Sequence, residues 1–460
     1  MTPTTPTGLR SHPVVVAGLG ATGYACVSHL INSGRTEIAV IDSSEKPPFA
    51  ESARLNFPQV DYHLGVASLP PGFWERTELL VVSPGIPPND ALLGGSQSVT
   101  RCSDIDLFMS ATSAAVVGIT GTNGKSTATS LLGHMLAGLG QNVSVGGNLG
   151  EPALSLLDAQ ADVYVLELSS FQLEYSTALP LTVGAVLNVS VDHLDRHGSL
   201  EQYAAVKRGI FQASAASVFN ADDPNTVPDV KPGGRMVSFG TSGDAPFRLN
   251  TAGEFLYEGE AFAQAADFKL RGRHNLLNLL AAMAMIDALA GVGILPGLRP
   301  FRSAGKRYVE SAQGYAGLPH RCELVAEIEG VSYINDSKAT NVGACIAALE
   351  GLALPTNSAK VLLLAGGQAK GATFAELGDV ARRCVKKALL FGEDAQLLEH
   401  ALEKATSVER CASLQEAVQR AYASATDGDS VLLAPACASF DMFDNFAARG
   451  DAFRTAVASL

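Results

Sequence analysis

The chain has 460 residues, of which 47% are apolar and 17% charged, and its net charge is −13 at neutral pH. That length allows two to four domains at roughly 150 residues each, and the composition excludes a disordered chain. The acidic balance argues against nucleic acid as a partner, because phosphate backbones are met by Lys and Arg surfaces.

Residues 1–13, MTPTTPTGLRSHP, lack an apolar core of the signal-peptide kind and are expected to be a frayed tail. The strand-like VVVA (14–17) runs into GLGATG (18–23), a G-x-G-x-x-G match opening a helix. Taken alone, it marks a dinucleotide site. IAVID (38–42) and LLVVSPGI (79–86) repeat the strand-then-turn pattern, so residues 1–103 read as a small Rossmann-like α/β unit.

Residues 104–316 form a second unit. AAVVGIT (114–120), VYVLELS (163–169), VGAVLNVS (183–190) and SVFNADD (217–223) are continuously apolar, which fits a parallel sheet covered on both faces. GTNGKST (121–127) stands between a strand and a helical run, the context of a P-loop. Backbone N–H groups of Gly121, Thr122, Asn123 and Gly124 and the helix start at Lys125, Ser126 and Thr127 suit phosphate oxygens. Lys125 would meet the β/γ-phosphates and the Ser126 hydroxyl would face Mg²⁺. The strict template wants glycine where Ile119 stands; the glycines fall at 118, 121 and 124.

Glu167 ends VYVLE and is placed to hold Mg²⁺ beside that loop, although a strand-end acid also serves as a cap. NVSVDHLDRHG (188–198) crowds Asp192, His193, Asp195, Arg196 and His197 together. His193 offers an imidazole to a second metal, while Asp195 to His197 also read as caps and ion pairs. The helix SLEQYAAVKRGIFQ (199–212) opens with Ser199 and Gln202 in capping-box spacing. Its apolar face is Tyr203, Val206, Ile210 and Phe211, and Lys207 shares it. An inward ammonium is costly and tends to lose its proton. The neutral amine can take up CO₂ as a carbamate able to bridge metals; a snorkelling Lys is the alternative.

The window 276–295 is long enough to span a bilayer, but Asn278 and Asp287 interrupt it and no basic flank orients it. It reads as a buried core helix, not a membrane span. The third unit, residues 317–460, carries VSYINDS, VLLLAGG, ALLFG and VLLAPA, again strands ending in small or acidic residues. The expected fold is therefore α/β in three successive domains. A Rossmann-like unit comes first, then a central P-loop ATPase-type mononucleotide-binding sheet, then a second Rossmann-like unit, with ligands at the carboxyl ends of the strands. Seven Cys scattered singly, without a CxxC pair, predict reduced thiols and a cytoplasmic protein.

GTNGKST, LELSSFQLE, NVSVDHLDRHG, NADDP, GRHNLLN, LPHR, NDSKATN and PACASFDMFDNFAARG stand in one order along the chain. In that set the sequence resembles the Mur ligases, from about Val14 to the C-terminus. The resemblance implies that ATP phosphorylates a substrate carboxylate and that an incoming amine attacks the acyl phosphate. It implies ATP contacts from the 121–127 loop, Asn275, Asn278, Arg321 and Asp336. Two Mg²⁺ ions would be held by Ser126, Glu167, His193 and a carbamoylated Lys207.

The first glycine loop is then expected to hold the uridine diphosphate end of the sugar substrate, through Gly20, Ala21, Thr22, Asp42, Ser83, Gly85 and Asn148. NDSKATN and PACASFDMF are the more specific motifs. They imply UDP-N-acetylmuramoyl-L-alanine as acceptor and D-glutamate as the incoming amino acid, gripped by Lys338, Thr340, Lys370, Ser439, Phe440 and Phe446. A monomer is expected. A sister Mur ligase or a folylpolyglutamate synthase is the alternative; an NAD-dependent oxidoreductase would leave Lys125, Glu167 and His193 without a task. Three features depart from the family pattern: Ser44 where a basic residue is found in some members, Ala369 beside Lys370, and a long segment 299–317 expected to act as a hinge.

Overall fold

The computed structural model describes residues 12–176, 178–229, 234–270, 272–352 and 361–460. Of the expected tail 1–13, residues 1–11 lie outside the described residues; at residues 12 and 13 the expectation needs correction, because the Pro13 carbonyl accepts from Glu78 N and Leu79 N.

Three sheets are each built from a consecutive stretch of chain. The first contains β1 (Val14–Ala17), β2 (Ile38–Asp42), β3 (Asp61–Leu64), β4 (Leu79–Val82) and β5 (Thr100–Cys102), in the order β3-β2-β1-β4-β5. All of its pairings are parallel. The second contains β6 (Ala115–Thr120), β7 (Val143–Gly147), β8 (Val163–Glu167), β9 (Val183–Val186), β10 (Ala216–Asn220), β11 (Arg235–Gly240), β12 (Phe247–Leu249), β13 (Glu254–Tyr257) and β14 (Glu260–Gln264). Its order is β14-β13-β12-β11-β10-β9-β6-β8-β7. The third contains β15 (Glu323–Ile328), β16 (Val331–Asn335), β17 (Val361–Gly366), β18 (Val385–Phe391), β19 (Ser407–Arg410) and β20 (Ser430–Leu433), in the order β15-β16-β20-β17-β18-β19. The three-domain α/β architecture expected from the sequence is the one found.

The expectation of parallel sheets needs correction at two edges. β12, β13 and β14 form an antiparallel meander, and β15 runs antiparallel to β16. Edge strands face solvent on one side, so their mixed polarity gave no continuous apolar run to read.

The apolar window is a core helix. Arg273–Val292 has 78% of its most apolar stretch buried, and it packs on the Lys125–Gly138 helix and on β10 to β12. Leu279, Leu280, Met283, Met285, Ile286 and Leu289 are fully buried, each worth roughly 1.5–3 kcal/mol of transfer free energy. The same packing corrects the hinge expectation. Phe301–Gln313 is a helix whose Phe301, Tyr308 and Ala312 are buried in the central core. Only residues 314–322 remain as an irregular connector to the third sheet.

Candidate active site

β6 is buried along its whole length and delivers the chain into the Gly121–Gly124 loop. Gly121 and Gly124 have φ of 156° and 79°, in the region that favours glycine. A Cβ on Gly124 would stand 2.4 Å from Asn278 Oδ1. The core helix thus presses its Asn278 against the loop, and Asn278 Nδ2 donates to Asn275 Oδ1 at 3.4 Å. Asn188 holds the other side: its carbonyl accepts from Thr122 N and its Oδ1 from Asn123 N. Gly124→Ala combines positive-φ strain with this clash and is expected to weaken ATP binding about tenfold or more. Equal calorimetric affinity of an ATP analogue for both proteins would count against the pressed-loop geometry.

Glu167 is 3% exposed at the tip of β8, the neighbour of β6. Its Oε2 accepts from Ser126 Oγ at 2.5 Å and its Oε1 from Asn148 Nδ2 at 2.7 Å. Asn148, expected at the sugar-nucleotide end, instead directs its amide to this acid. Arg321 Nη2, from the third unit, donates to Ser126 Oγ at 2.7 Å. The third unit therefore reaches the phosphate loop directly.

Lys125 Nζ donates to the carbonyls of Gly121 and Thr122 at 2.9 and 2.8 Å. Lys207 Nζ donates to the same Gly121 carbonyl at 2.8 Å and lies 4.4 Å from the Tyr203 ring centre. Lys207 is 1% exposed, on the helix face shared by Tyr203, Ile210 and Phe211, as the spacing predicted. Burial holds its ammonium well below the ordinary lysine range, and neighbouring Lys125 pushes in the same direction.

His193 is not drawn into this group. Its side chain is half exposed, with backbone φ of 51°, and it stacks edge-on to Phe171 at 4.9 Å. Among the described residues no three His, Cys, Asp or Glu donors cluster within 4.8 Å here; the one such group is elsewhere. Arg196 and His197 of the same cluster make structural contacts. Arg196 pairs with Glu174 at 2.7 Å and donates to the Ile86 carbonyl at 3.0 Å, and His197 bonds Ser170 at 3.0 Å. Tyr175 OH reaches the same Ile86 carbonyl at 2.8 Å, so the first unit is strapped to the second.

Asp336, 9% exposed at the end of β16, accepts from Cys322 Sγ at 3.4 Å, and burial raises its carboxyl to about 6. Cys322 Sγ in turn lies 3.4 Å from His274 Nε2, whose ring is lowered to about 4 by burial. Arg321 and Asp336 are thus set on adjoining loops at the Lys125 side of the third unit.

The first glycine loop has the geometry of an anion cradle. Gly18 has φ of 91° and abuts Ser83, whose Oγ donates to the Gly18 carbonyl at 3.2 Å. Gly20 caps the Ala21–Asn32 helix, with Ala21 and Thr22 in its first turn. Asp42 accepts from Leu19 N and Ser44 N, both at 2.8 Å. Both carboxylate oxygens are committed to backbone N–H groups, and Ser44 serves that turn in place of a basic side chain. Gly85 is exposed with open space where a Cβ would stand.

In the third unit, Lys338 Nζ lies 4.2 Å from the Phe446 ring centre and Lys370 Nζ 4.8 Å from that of Phe440. Ser439 is 2% exposed and Thr340 N donates to the Lys338 carbonyl at 2.7 Å. Backbone bonds join the loops that carry them: Gln368 with Ala438, and Ala436 N with the Ala339 carbonyl. The Ala369 departure is absorbed by backbone, its N–H donating to Asp394 at 2.7 Å.

Sequence reasoning missed Arg449. It is fully buried, and its guanidinium donates to Ser337 Oγ and to the carbonyls of Ser337, Gly366, Cys437 and Ala438. The DNFAARG motif contained it, but nothing in an exposed-looking helix start marks an Arg as inward.

The fold and the loops together define a P-loop nucleotide-binding protein with an anion cradle on one flanking domain and a cation-bearing pocket on the other. Three family descriptions match in succession: "Mur ligase MurD-like, N-terminal domain" over residues 12–98, "Mur ligase middle domain" over 119–286, and "Mur ligase, glutamate ligase domain" over 320–437. The chain belongs to the Mur ligase family. It is 43% identical to the UDP-N-acetylmuramoylalanine--D-glutamate ligase of Marinobacter nauticus, covering 97% of this chain and 98% of that one. The enzyme of the same name from Methylococcus capsulatus is also 43% identical, over 97% and 95% of the two chains. Among solved structures, the MurF ligase of Thermotoga maritima in complex with ADP superposes with a TM-score of 0.60 at 18% identity, over 98% of this chain and 96% of that one. A bifunctional folylpolyglutamate synthase/dihydrofolate synthase from Yersinia pestis gives 0.57 at 18% identity, over 77% and 92%. These two share the fold.

Proposed function

We propose that this protein is an ATP-dependent ligase that joins D-glutamate to UDP-N-acetylmuramoyl-L-alanine in peptidoglycan precursor synthesis. The observation that carries the reading is the full-length identity to ligases of that name, with the specific motifs NDSKATN and PACASFDMF lying on loops joined around Arg449. Residues 1–103 would hold the UDP end, 104–316 ATP, and 317–460 the amino acid.

The chemistry follows from the geometry. Phosphoryl transfer to a carboxylate brings anions together, so positioning and charge neutralisation supply most of the rate. Lys125 and the loop N–H groups would orient the γ-phosphate, and Arg321, already on Ser126, would add a cation from the third unit. Ser126 and Glu167 fit a first Mg²⁺, being an oxygen pair at 2.5 Å with Asn148 fixing the acid. Mg²⁺ supplies neutralisation of the phosphate oxygens. For a second ion His193 would have to turn inward to join Lys207.

Lys207 fits a carbamate because its Nζ and that of Lys125 share the Gly121 carbonyl. The neutral Lys207 amine attacks the carbon of CO₂, a C–N bond forms as one C=O π pair moves onto oxygen, and one proton leaves to solvent. The neutral amine beside Lys125 becomes an anion beside it. Lys338 and Lys370, each over an aromatic ring, would receive the two carboxylates of D-glutamate. All seven cysteines are free thiols, which supports a cytoplasmic setting.

The test is phosphate release from MgATP with UDP-N-acetylmuramoyl-L-alanine and D-glutamate, L-glutamate or no amino acid. Release only with D-glutamate is expected. Release with a different amino acid or acceptor would move the protein to a sister ligase activity.

A further inference from the structure

We propose that the first domain carries a transition-metal site formed by His12, Asp61 and His63, separate from the phosphate loops. The Nε2 of His12 and of His63 lie 3.1 and 3.3 Å from Asp61 Oδ2, and the ligand atoms of all three residues fall within 4.8 Å of one another.

Asp61 opens β3 and His63 stands two residues on, so the pleat puts both on one face, opposite Ala39 and Ile41 of β2. His12 comes from the segment that leads into β1, on the far side of β2. That segment is held: the Pro13 carbonyl accepts from Glu78 N and Leu79 N at 2.9 and 3.1 Å. The His63 ring is fixed edge-on to Phe73 at 6.0 Å. Its side chain is 8% exposed, and its buried Nε2 makes no hydrogen bond, since the Asp61 oxygen is near but misaligned. A buried, unpaired imidazole nitrogen aimed at a carboxylate and a second imidazole is unfavourable unless something lies between them.

Two imidazoles and one carboxylate suit Zn²⁺, Ni²⁺ or Co²⁺ and not Mg²⁺, which prefers oxygen donors. Three protein ligands leave a fourth position for water. No loop of the two nucleotide sites contributes a ligand. The ion would instead tie the segment before β1 to the edge strand β3, and so stabilise the first domain.

The experiment uses the full chain without a purification tag, in excess Mg²⁺ to fill the oxygen-rich sites. Zn²⁺ binding is followed by calorimetry and Co²⁺ binding by its visible absorption. One equivalent of Zn²⁺ should bind, and the melting temperature should rise with it. Asp61→Asn and His63→Gln should each weaken binding by at least about tenfold, with ligase activity in saturating Mg²⁺ unchanged. His12→Gln lies outside the sheet and tests the same point where a strand variant disturbs folding. No Zn²⁺ binding by the parent protein, or equal affinity in all the variants, overturns the proposal.

Discussion

Lys207→Ala is expected to lower phosphate release by about a hundred- to a thousandfold, with short carboxylic acids such as acetate restoring part of it. The magnitude is that of removing one preorganised charge-stabilising group from a site of this kind. Removing the side chain opens a space beside the Gly121 carbonyl and the Tyr203 ring, where the amine now sits. A small carboxylate can enter there and stand in for the carbamate. Lys207 as an ammonium makes the opposite prediction: small amines, not acids, would rescue. Full activity in the plain variant would sink both versions. Loss of the parent's activity on exhaustive removal of CO₂, and its return with bicarbonate, is an independent readout.

Arg449→Met should cost on the order of 3–5 kcal/mol of stability in the third domain, as for other buried charge networks broken from one side. Four carbonyls and one hydroxyl lose their donor together, and each buried acceptor left alone carries a desolvation cost of about 1–3 kcal/mol. Burial lowers the guanidinium only to about 10, so it stays charged at neutral pH. Its partners belong to the three loops that bear Lys338, Lys370 and Ser439. Arg449→Lys should retain more stability than Met while still raising the KM for D-glutamate, because one ammonium cannot span five acceptors. Denaturant unfolding together with D-glutamate titration checks this. An unchanged midpoint and KM in the Met variant would show that the loops hold their shape without it.

The sequence alone determined the buried strands, the P-loop, the place of Lys207 on an apolar helix face and the core nature of the 273–292 helix. Those features are periodic or local: a continuous apolar run, a Gly-rich turn before a helix, a shared helix face. The meander β12–β14 and the edge strand β15 were not legible, since half-exposed strands carry no continuous apolar signal. The segment 299–317 looked like a hinge because its polar residues face solvent; that Phe301, Tyr308 and Ala312 lock it into the central core is a tertiary fact. The convergence of Arg321 on Ser126, 195 positions apart, of Asn148 on Glu167, and of three loops on Arg449 was likewise decided only by folding. Such contacts depend on the distance between elements, and sequence spacing constrains that distance only within a single helix or strand.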